Sequence, residues 1–308
     1  MHYKKSFFYS HGKLLLTGEY VILFGALGVA LPTVKGQLLT VIENKDTSSI
    51  LHWKSYDKNH NIWFEAIFRL PYLEIFYNTE KNIAIRLRNL LLKSKKIKKK
   101  FLKESLSIYV NTYLQFSIDW GLGSSSTLIN NIAKWANINP FELLDNENFP
   151  GSGYDIACVS ISKPIIYKYY DTMPFYIPIN FNPPFKNKLF FLHLNKKQNT
   201  TKCINLFRYN NIPNKKIIES ISFITWKVLF CKKLNEFEEL LLNHEKIISK
   251  ILNLPTIKEI YFPDYLGLVK SLGAWGGDFV LISFRKGMKK YFSKKGFNTI
   301  ISFDKMIF

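Results

Sequence analysis

Cysteine is scarce: the chain has 3 cysteines in 308 residues, at Cys158, Cys203 and Cys231. An odd number so widely spaced gives neither a disulfide framework nor a zinc site, and it points to free thiols in a reducing cytoplasm. The 6 histidines form no pair at metal-ligand spacing on a helix. Long apolar runs are missing as well. The longest, Tyr20 to Val34, is broken by glycines and a proline and falls short of the roughly 20 residues that cross a bilayer, so no membrane segment is expected. The aromatic cluster after Lys4 and Lys5 ends at once in Ser10, His11, Gly12 and Lys13, so no secretory signal is expected there.

Acidic residues are the other shortage, with 23 against 43 basic ones and a net charge of +20. Such a balance raises nucleic acid as a partner through phosphate neutralisation. Lys, Asn, Ile, Phe and Tyr are dense throughout, however, which is the pattern an AT-rich genome produces rather than a binding face. The basic run Lys93 to Lys103 is interrupted by Ile97, Phe101 and Leu102 and reads as a solvated helix end or loop. No aromatic-basic stripe accompanies it. No nucleic-acid partner is expected, and the surplus charge is left to attract anionic substrates in general.

What is present is a globular composition, 47% hydrophobic and 16% aromatic, in a chain long enough for about two domains. The segment Asp119 to Thr127 reads Asp-Trp-Gly-Leu-Gly-Ser-Ser-Ser-Thr. Gly121 and Gly123 let the backbone turn tightly and present N–H groups, and Ser124, Ser125 and Ser126 supply hydroxyls at the start of a helix marked by Leu128, Ile129, Ile132, Ala133 and Trp135. Free N–H donors and the positive end of the helix dipole favour an anion there, and a triphosphate fits. The segment lacks the Gly-Lys-Ser/Thr ending of a P-loop, and Ser126 stands where a dinucleotide fingerprint has its third glycine. By itself a Gly/Ser turn capping a helix is more often structural than functional.

Periodicity predicts strands over 13–23, 38–43, 50–55, 106–116, 165–170, 189–194 and 279–284. Helices are predicted over 82–92, after the glycine–serine loop, over 140–144, 215–232 and 237–252, and on the approach to Lys270. Pro174, Pro178, Pro183 and Pro184 punctuate an aperiodic stretch that serves as the domain boundary. The division is 1–172 and 185–308, and the fold class is α+β.

Three further segments follow the order of a known family. They are Gly12-Lys13-Leu14-Leu15-Leu16-Thr17-Gly18-Glu19-Tyr20, Gly151-Ser152-Gly153-Tyr154-Asp155-Ile156-Ala157, and Gly273-Ala274-Trp275-Gly276-Gly277-Asp278. With the glycine–serine loop they resemble the GHMP kinase superfamily, which includes galactokinase, homoserine kinase, mevalonate kinase and phosphomevalonate kinase. The Gly-Tyr-Asp-Ile-Ala string is similar to the bacterial branch named GYDIA. The resemblance implies a two-domain fold: an N-terminal mixed α/β nucleotide-binding domain with a left-handed crossover, and a C-terminal ferredoxin-like α/β domain.

It also implies ATP and Mg2+ as cofactors and a small anionic substrate. Lys13 matches the family's lysine beside the reaction centre, and Asp155 the aspartate that takes or orients the acceptor's proton. Gly121, Gly123, Ser124, Ser125 and Ser126 match the nucleotide cradle, with Ser125 assigned to magnesium. Ser152 and Gly153, with Gly273, Gly276 and Gly277 of the late loop, match substrate-binding positions, Ser152 bonding either substrate or backbone. Glu19 and Tyr20 hold the first segment in place.

Two departures stand out. The family's loop begins Pro-x-Gly, whereas here Ile118-Asp119-Trp120 precedes Gly121. A carboxylate close to a polyphosphate repels it by on the order of 1 to 4 kcal/mol, so Asp119 is expected to act through magnesium or to be turned away by a partner. Neither Glu142 nor Glu147 lies at the distance from Asp155 of the magnesium-binding glutamate of mevalonate kinase. That absence, and the aspartate ending the late loop, tilt the comparison toward phosphomevalonate kinase. The leading expectation is phosphorylation of phosphomevalonate, then of mevalonate. The alternatives are the related decarboxylase and a non-catalytic binder of nucleotide or metabolite. Oligomeric state is left open.

Overall fold

The computed structural model describes residues 3–44, 48–102, 107–144, 151–170, 173–196 and 212–308. Cys203, Glu147 and Leu106 lie outside the described residues. The chain forms two compact units, the first from Met1–Gly12, Lys35–Ile118 and Gly123–Asp145, the second from Lys13–Val34, Asp119–Leu122 and Asn146–Phe308. Among the described residues no helix is long and apolar enough to cross a membrane.

The first unit is built on strands β1 (Tyr3–Thr17), β2 (Gly28–Asn44), β3 (Ile50–Tyr56), β4 (Ile62–Arg69), β5 (Glu74–Asn78) and β6 (Ser107–Leu114), the first two of which it shares with the second unit. The order is β5-β4-β3-β6-β2, with β3 and β6 parallel and the other neighbours antiparallel. Alternation decides which faces are buried: Leu51 and Trp53 of β3, and Phe64, Ala66 and Phe68 of β4, point into the core while their neighbours do not. Helix α1 (Lys81–Ile97) buries Ala84, Leu87, Leu90 and Leu91 on one face and packs against α2 (Ser124–Ala136). The lysine run at its end has local work: Lys93 Nζ donates to the Leu144 carbonyl and Lys95 Nζ to that of Pro71, each at 2.7 Å.

In the second unit the opening of β2 pairs with β7 (Ile165–Tyr170), and β7 with β8 (Met173–Pro178), both antiparallel. Its other sheet contains β9 (Leu189–His193), β10 (Val269–Ser271), β11 (Phe279–Ser283) and β12 (Ile300–Ser302) in the antiparallel order β10-β11-β9-β12. Helices α4 (Lys215–Phe230) and α5 (Leu234–Leu252) fall between β9 and β10, and α7 (Met288–Lys294) between β11 and β12, after the short α6 (Ile257–Tyr261). That is the ferredoxin-like arrangement. Leu192, Phe262, Val269, Val280, Ile282 and Phe292 fill its core.

Three expectations are corrected. The strand placed over 13–23 ends at Thr17, because Gly18 turns at φ 93° and Val21–Phe24 continues as a 3-10 helix. The proline-rich stretch after 173 is partly a strand: among the described residues β8 pairs only with β7, and an edge strand has no need of the N–H groups that Pro174 and Pro178 lack. Lys270 is approached not by a helix but by the loop after α6, and itself lies in β10. Strands β4, β5 and β12 and helix α7 had no expectation.

Candidate active site

Lys13 sits in the last part of β1. Its main-chain N–H donates to the Leu122 carbonyl at 2.9 Å, which fixes the strand to the glycine loop. Its Nζ donates to the Gly121 carbonyl at 3.2 Å and to the Tyr154 hydroxyl oxygen at 3.3 Å, and lies 5.5 Å from the centre of the Tyr154 ring. Burial works against the charge, yet Tyr154, Asp155 and Asp278 outweigh it and hold the ammonium above its ordinary pKa. An ammonium has three donors. Two are bound to the protein here.

Asp155 lies in the first turn of α3 (Tyr154–Ile161), where a carboxylate is favoured by the helix dipole. Gly153 makes that placement possible: it caps the helix at φ 81°, a conformation costly for other residues. Ser152 is buried, and its carbonyl accepts the Tyr167 hydroxyl, so the turn is fixed from below. Burial pushes the Cys158 thiol far up, so it stays protonated beside the lysine.

The serines of the loop belong to the first unit. Gly123 turns at φ 87°, and no side chain caps the 13-residue helix α2 that follows. Its leading N–H groups are therefore free to meet an anion. Ser126 is buried, and its hydroxyl donates to the Gly123 carbonyl at 2.9 Å; Thr127 Oγ1 bonds the same carbonyl at 3.0 Å. Ser124 is half-buried and Ser125 exposed, which leaves both hydroxyls to a ligand. This donor set suits a polyphosphate. Among the described residues no group of three His, Cys, Asp or Glu is placed to hold a metal, so magnesium would have to be carried by phosphate oxygens and a hydroxyl such as that of Ser125.

Beneath the helix lies a neutral buried network. Ser10 Oγ donates to Asn131 Oδ1 at 2.6 Å, Asn130 Nδ2 to Ser10 Oγ at 2.8 Å, Asn131 Nδ2 to the Gln37 carbonyl at 2.9 Å and Thr127 Oγ1 to Gln37 Oε1 at 2.9 Å. It ties α2 to β1 and β2.

In the late turn Gly273 and Gly276 have φ of 73° and 83°. A Cβ on Gly273 would meet nothing within 4 Å, so the turn wants its dihedral and not its small size. Gly277 completes the turn into Asp278. Trp275 is buried among Tyr20, Val21, Ile221 and Ile248, its main-chain N–H donating to the Tyr20 hydroxyl at 2.7 Å. It is a packing residue. Tyr154 and Asp278 were visible in the motifs but carried no assigned role, since a spacing pattern does not show which side chains face Lys13.

No family model matches this sequence, and no curated protein does. Solved structures do. The phosphomevalonate kinase of Streptococcus pneumoniae, in complex with phosphomevalonate and AMPPNP, is similar with a TM-score of 0.68 at 16% identity, covering 98% of this chain and 100% of that one. The mevalonate kinase of Methanococcus jannaschii gives 0.65 at 15%, covering 95% and 94%. The Lactococcus lactis galactokinase complexed with galactose gives 0.62 at 12%, covering 95% and 88%.

The chain has the GHMP kinase fold. In this version of the GHMP kinase fold the unusual Trp120 has a structural role. Its ring meets that of Phe279 edge-on at 5.4 Å and lies 6.1 Å from that of His193, so it docks the glycine loop on β9 and β11. Asp119 is half-buried beside it.

Proposed function

We propose that this chain is an ATP-dependent small-molecule kinase that transfers the γ-phosphoryl group to an isoprenoid precursor, phosphomevalonate first and mevalonate second. The observation that carries the reading is the setting of Lys13, whose ammonium is gripped by Gly121 and Tyr154 and kept charged with Asp155 adjacent. Phosphoryl transfer is mostly positioning and charge stabilisation, and a fixed cation at the reacting oxygens supplies both. Asp155 orients the acceptor or takes its proton. Gly123, Ser124 and Ser125 offer donors to the phosphates at the uncapped start of α2, two to four residues along the chain from Gly121. Magnesium, bound with the nucleotide, would neutralise phosphate charge.

The test is incubation of the purified protein with ATP, magnesium and, separately, mevalonate, phosphomevalonate and diphosphomevalonate, with products identified by mass. ADP and a diphosphorylated product from phosphomevalonate are expected. Carbon dioxide release would favour the decarboxylase, and tight ATP binding without ADP a non-catalytic binder. An acceptor phosphate is already anionic near neutral pH and needs little from a base, whereas an alcohol needs more. Asp155→Asn should therefore lower kcat on mevalonate more than on phosphomevalonate; equal losses would remove Asp155 from proton transfer.

A further inference from the structure

Gly121 and Asp278 are 157 positions apart in the chain, yet a Cβ built on Gly121 would stand 2.1 Å from Asp278 Oδ2 and 2.5 Å from its Cγ. The Asp278 carboxylate thus occupies the space that any side chain at Gly121 would need. Gly121 is in the left-handed region at φ 64°, and Asp278 at φ 53°, a region an aspartate visits more readily than most residues. Asp278 is buried and held at both main-chain groups: its N–H donates to the Lys196 carbonyl at 2.9 Å, and its carbonyl accepts from Leu194 at 2.8 Å. The neighbouring pair repeats the match, since Trp120 packs on Phe279. Two successive residues of the glycine loop are therefore seated on two successive residues at the start of β11. The carbonyl of the same Gly121 is the one that accepts from the Lys13 ammonium.

We infer that Asp278 is a positioning residue for Lys13: its carboxylate, seated on Gly121, holds in place the residue whose carbonyl accepts the ammonium, and adds a second negative charge to that of Asp155 around it. The inference rests on the kinase reading only for its consequence in turnover, not for the geometry. The glycine at 121 is then required to admit the carboxylate as well as to shape a phosphate loop. The groups that act on Lys13 are Tyr154 and Asp155 from α3, with the protonated Cys158 behind them, and Asp278 from the late turn. Both carboxylates raise the pKa of Lys13. Removing one therefore lowers it, and the ammonium is lost at a lower pH.

The experiment is competitive acylation of Lys13 across a pH series, read by mass spectrometry on the folded protein, for wild type, Asp278→Asn, Asp155→Asn and Gly121→Ala. It reads the lysine directly and needs no activity, so its outcome is separate from that of the kinase assay. Asn tolerates the left-handed backbone at 278 and keeps the shape of the side chain. The midpoint of Lys13 reactivity should fall by about one pH unit in Asp278→Asn, the size expected for loss of a nearby opposite charge. Gly121→Ala, which must displace the carboxylate, should move it the same way, and Gly121→Ala with Asp278→Asn should add little to either alone. If Gly121→Ala fails to fold, the Asp278→Asn midpoint alone decides. An unchanged midpoint in Asp278→Asn, with a shift in Asp155→Asn, would overturn the inference. Where the protein turns over, the alkaline limb of kcat/KM in Asp278→Asn should move down with the midpoint; a uniform loss at every pH would mean that Asp278 only supports the fold.

Discussion

Each of the two units buries a polar network behind its own candidate residues, and the two networks are built from opposite materials. Beneath α2 the first unit uses only neutral groups, Ser10, Gln37, Thr127, Asn130 and Asn131, paired donor to acceptor. Behind the Lys13 segment the second unit buries four titratable groups. Lys270 Nζ donates to Glu19 Oε1 at 2.5 Å and to the Ser271 carbonyl at 2.7 Å, while Glu245 accepts the Ser271 hydroxyl at 2.7 Å and its N–H at 3.1 Å. His244 Nε2 accepts the Gly18 N–H at 2.9 Å. That nitrogen therefore carries no proton, and its 3.4 Å approach to Glu19 Oε2 is not an ion pair. Amide networks fix geometry at any pH, whereas a cluster with two carboxylates and one ammonium is held together only while its protons are correctly placed.

The largest effect should come from breaking the charged network. Lys270→Met leaves Glu19 buried without its cation and should cost about 3 to 5 kcal/mol at pH 8. Chemical denaturation should show a smaller loss at pH 5, where Glu19 can take a proton instead. An equal loss at both pH values would mean that Lys270 contributes by packing alone.

Next is the pH response of the unmodified protein. Burial raises the Glu19 carboxyl from its usual 4.5 to about 7, with Lys270 opposing the rise. A raised acid favours the folded state when protonated, so its contribution is whole below about pH 4.5 and is lost as pH climbs through about 7, roughly 3 kcal/mol at most. His244 has the opposite sign. Burial, then Lys270, hold its pKa well below 6.5, so it weakens the fold as pH falls below 6.5. Glu19→Gln isolates the first term: relative to this variant, wild-type stability should decline from pH 5 to pH 8 in calorimetric melts. Parallel curves would show that Glu19 does not titrate there.

The contrast also explains what was legible in the sequence. The glycines at 121, 123, 153, 273 and 276 all adopt positive φ, and a backbone that only glycine serves cheaply leaves its mark in any sequence. Apolar alternation marked β3 and β6, and short apolar runs marked β7, β9 and β11. Neither network left such a mark. Asn130 and Asn131 sit in a helix where the apolar pattern alone was informative, Glu245 and Lys270 read as ordinary charges, and Glu19, expected to hold the first segment in place, gave no sign of the partners the fold buries with it. Asp278 stands at the end of a glycine motif, but its seat on Gly121 depends on two segments 157 positions apart and on a turn whose geometry no spacing conveys.

The smallest effect belongs to the neutral network. Asn131→Ala removes the acceptor for Ser10 and the donor to the Gln37 carbonyl, which should cost about 1 to 3 kcal/mol. Because no member ionises near neutral pH, the loss should be the same at pH 5 and pH 8. Ser10→Ala combined with Asn131→Ala should cost less than the two single losses added, since each single change strands the other's partner. A pH-dependent loss would show that the charged cluster reaches α2, and the contrast drawn between the two networks would then fail.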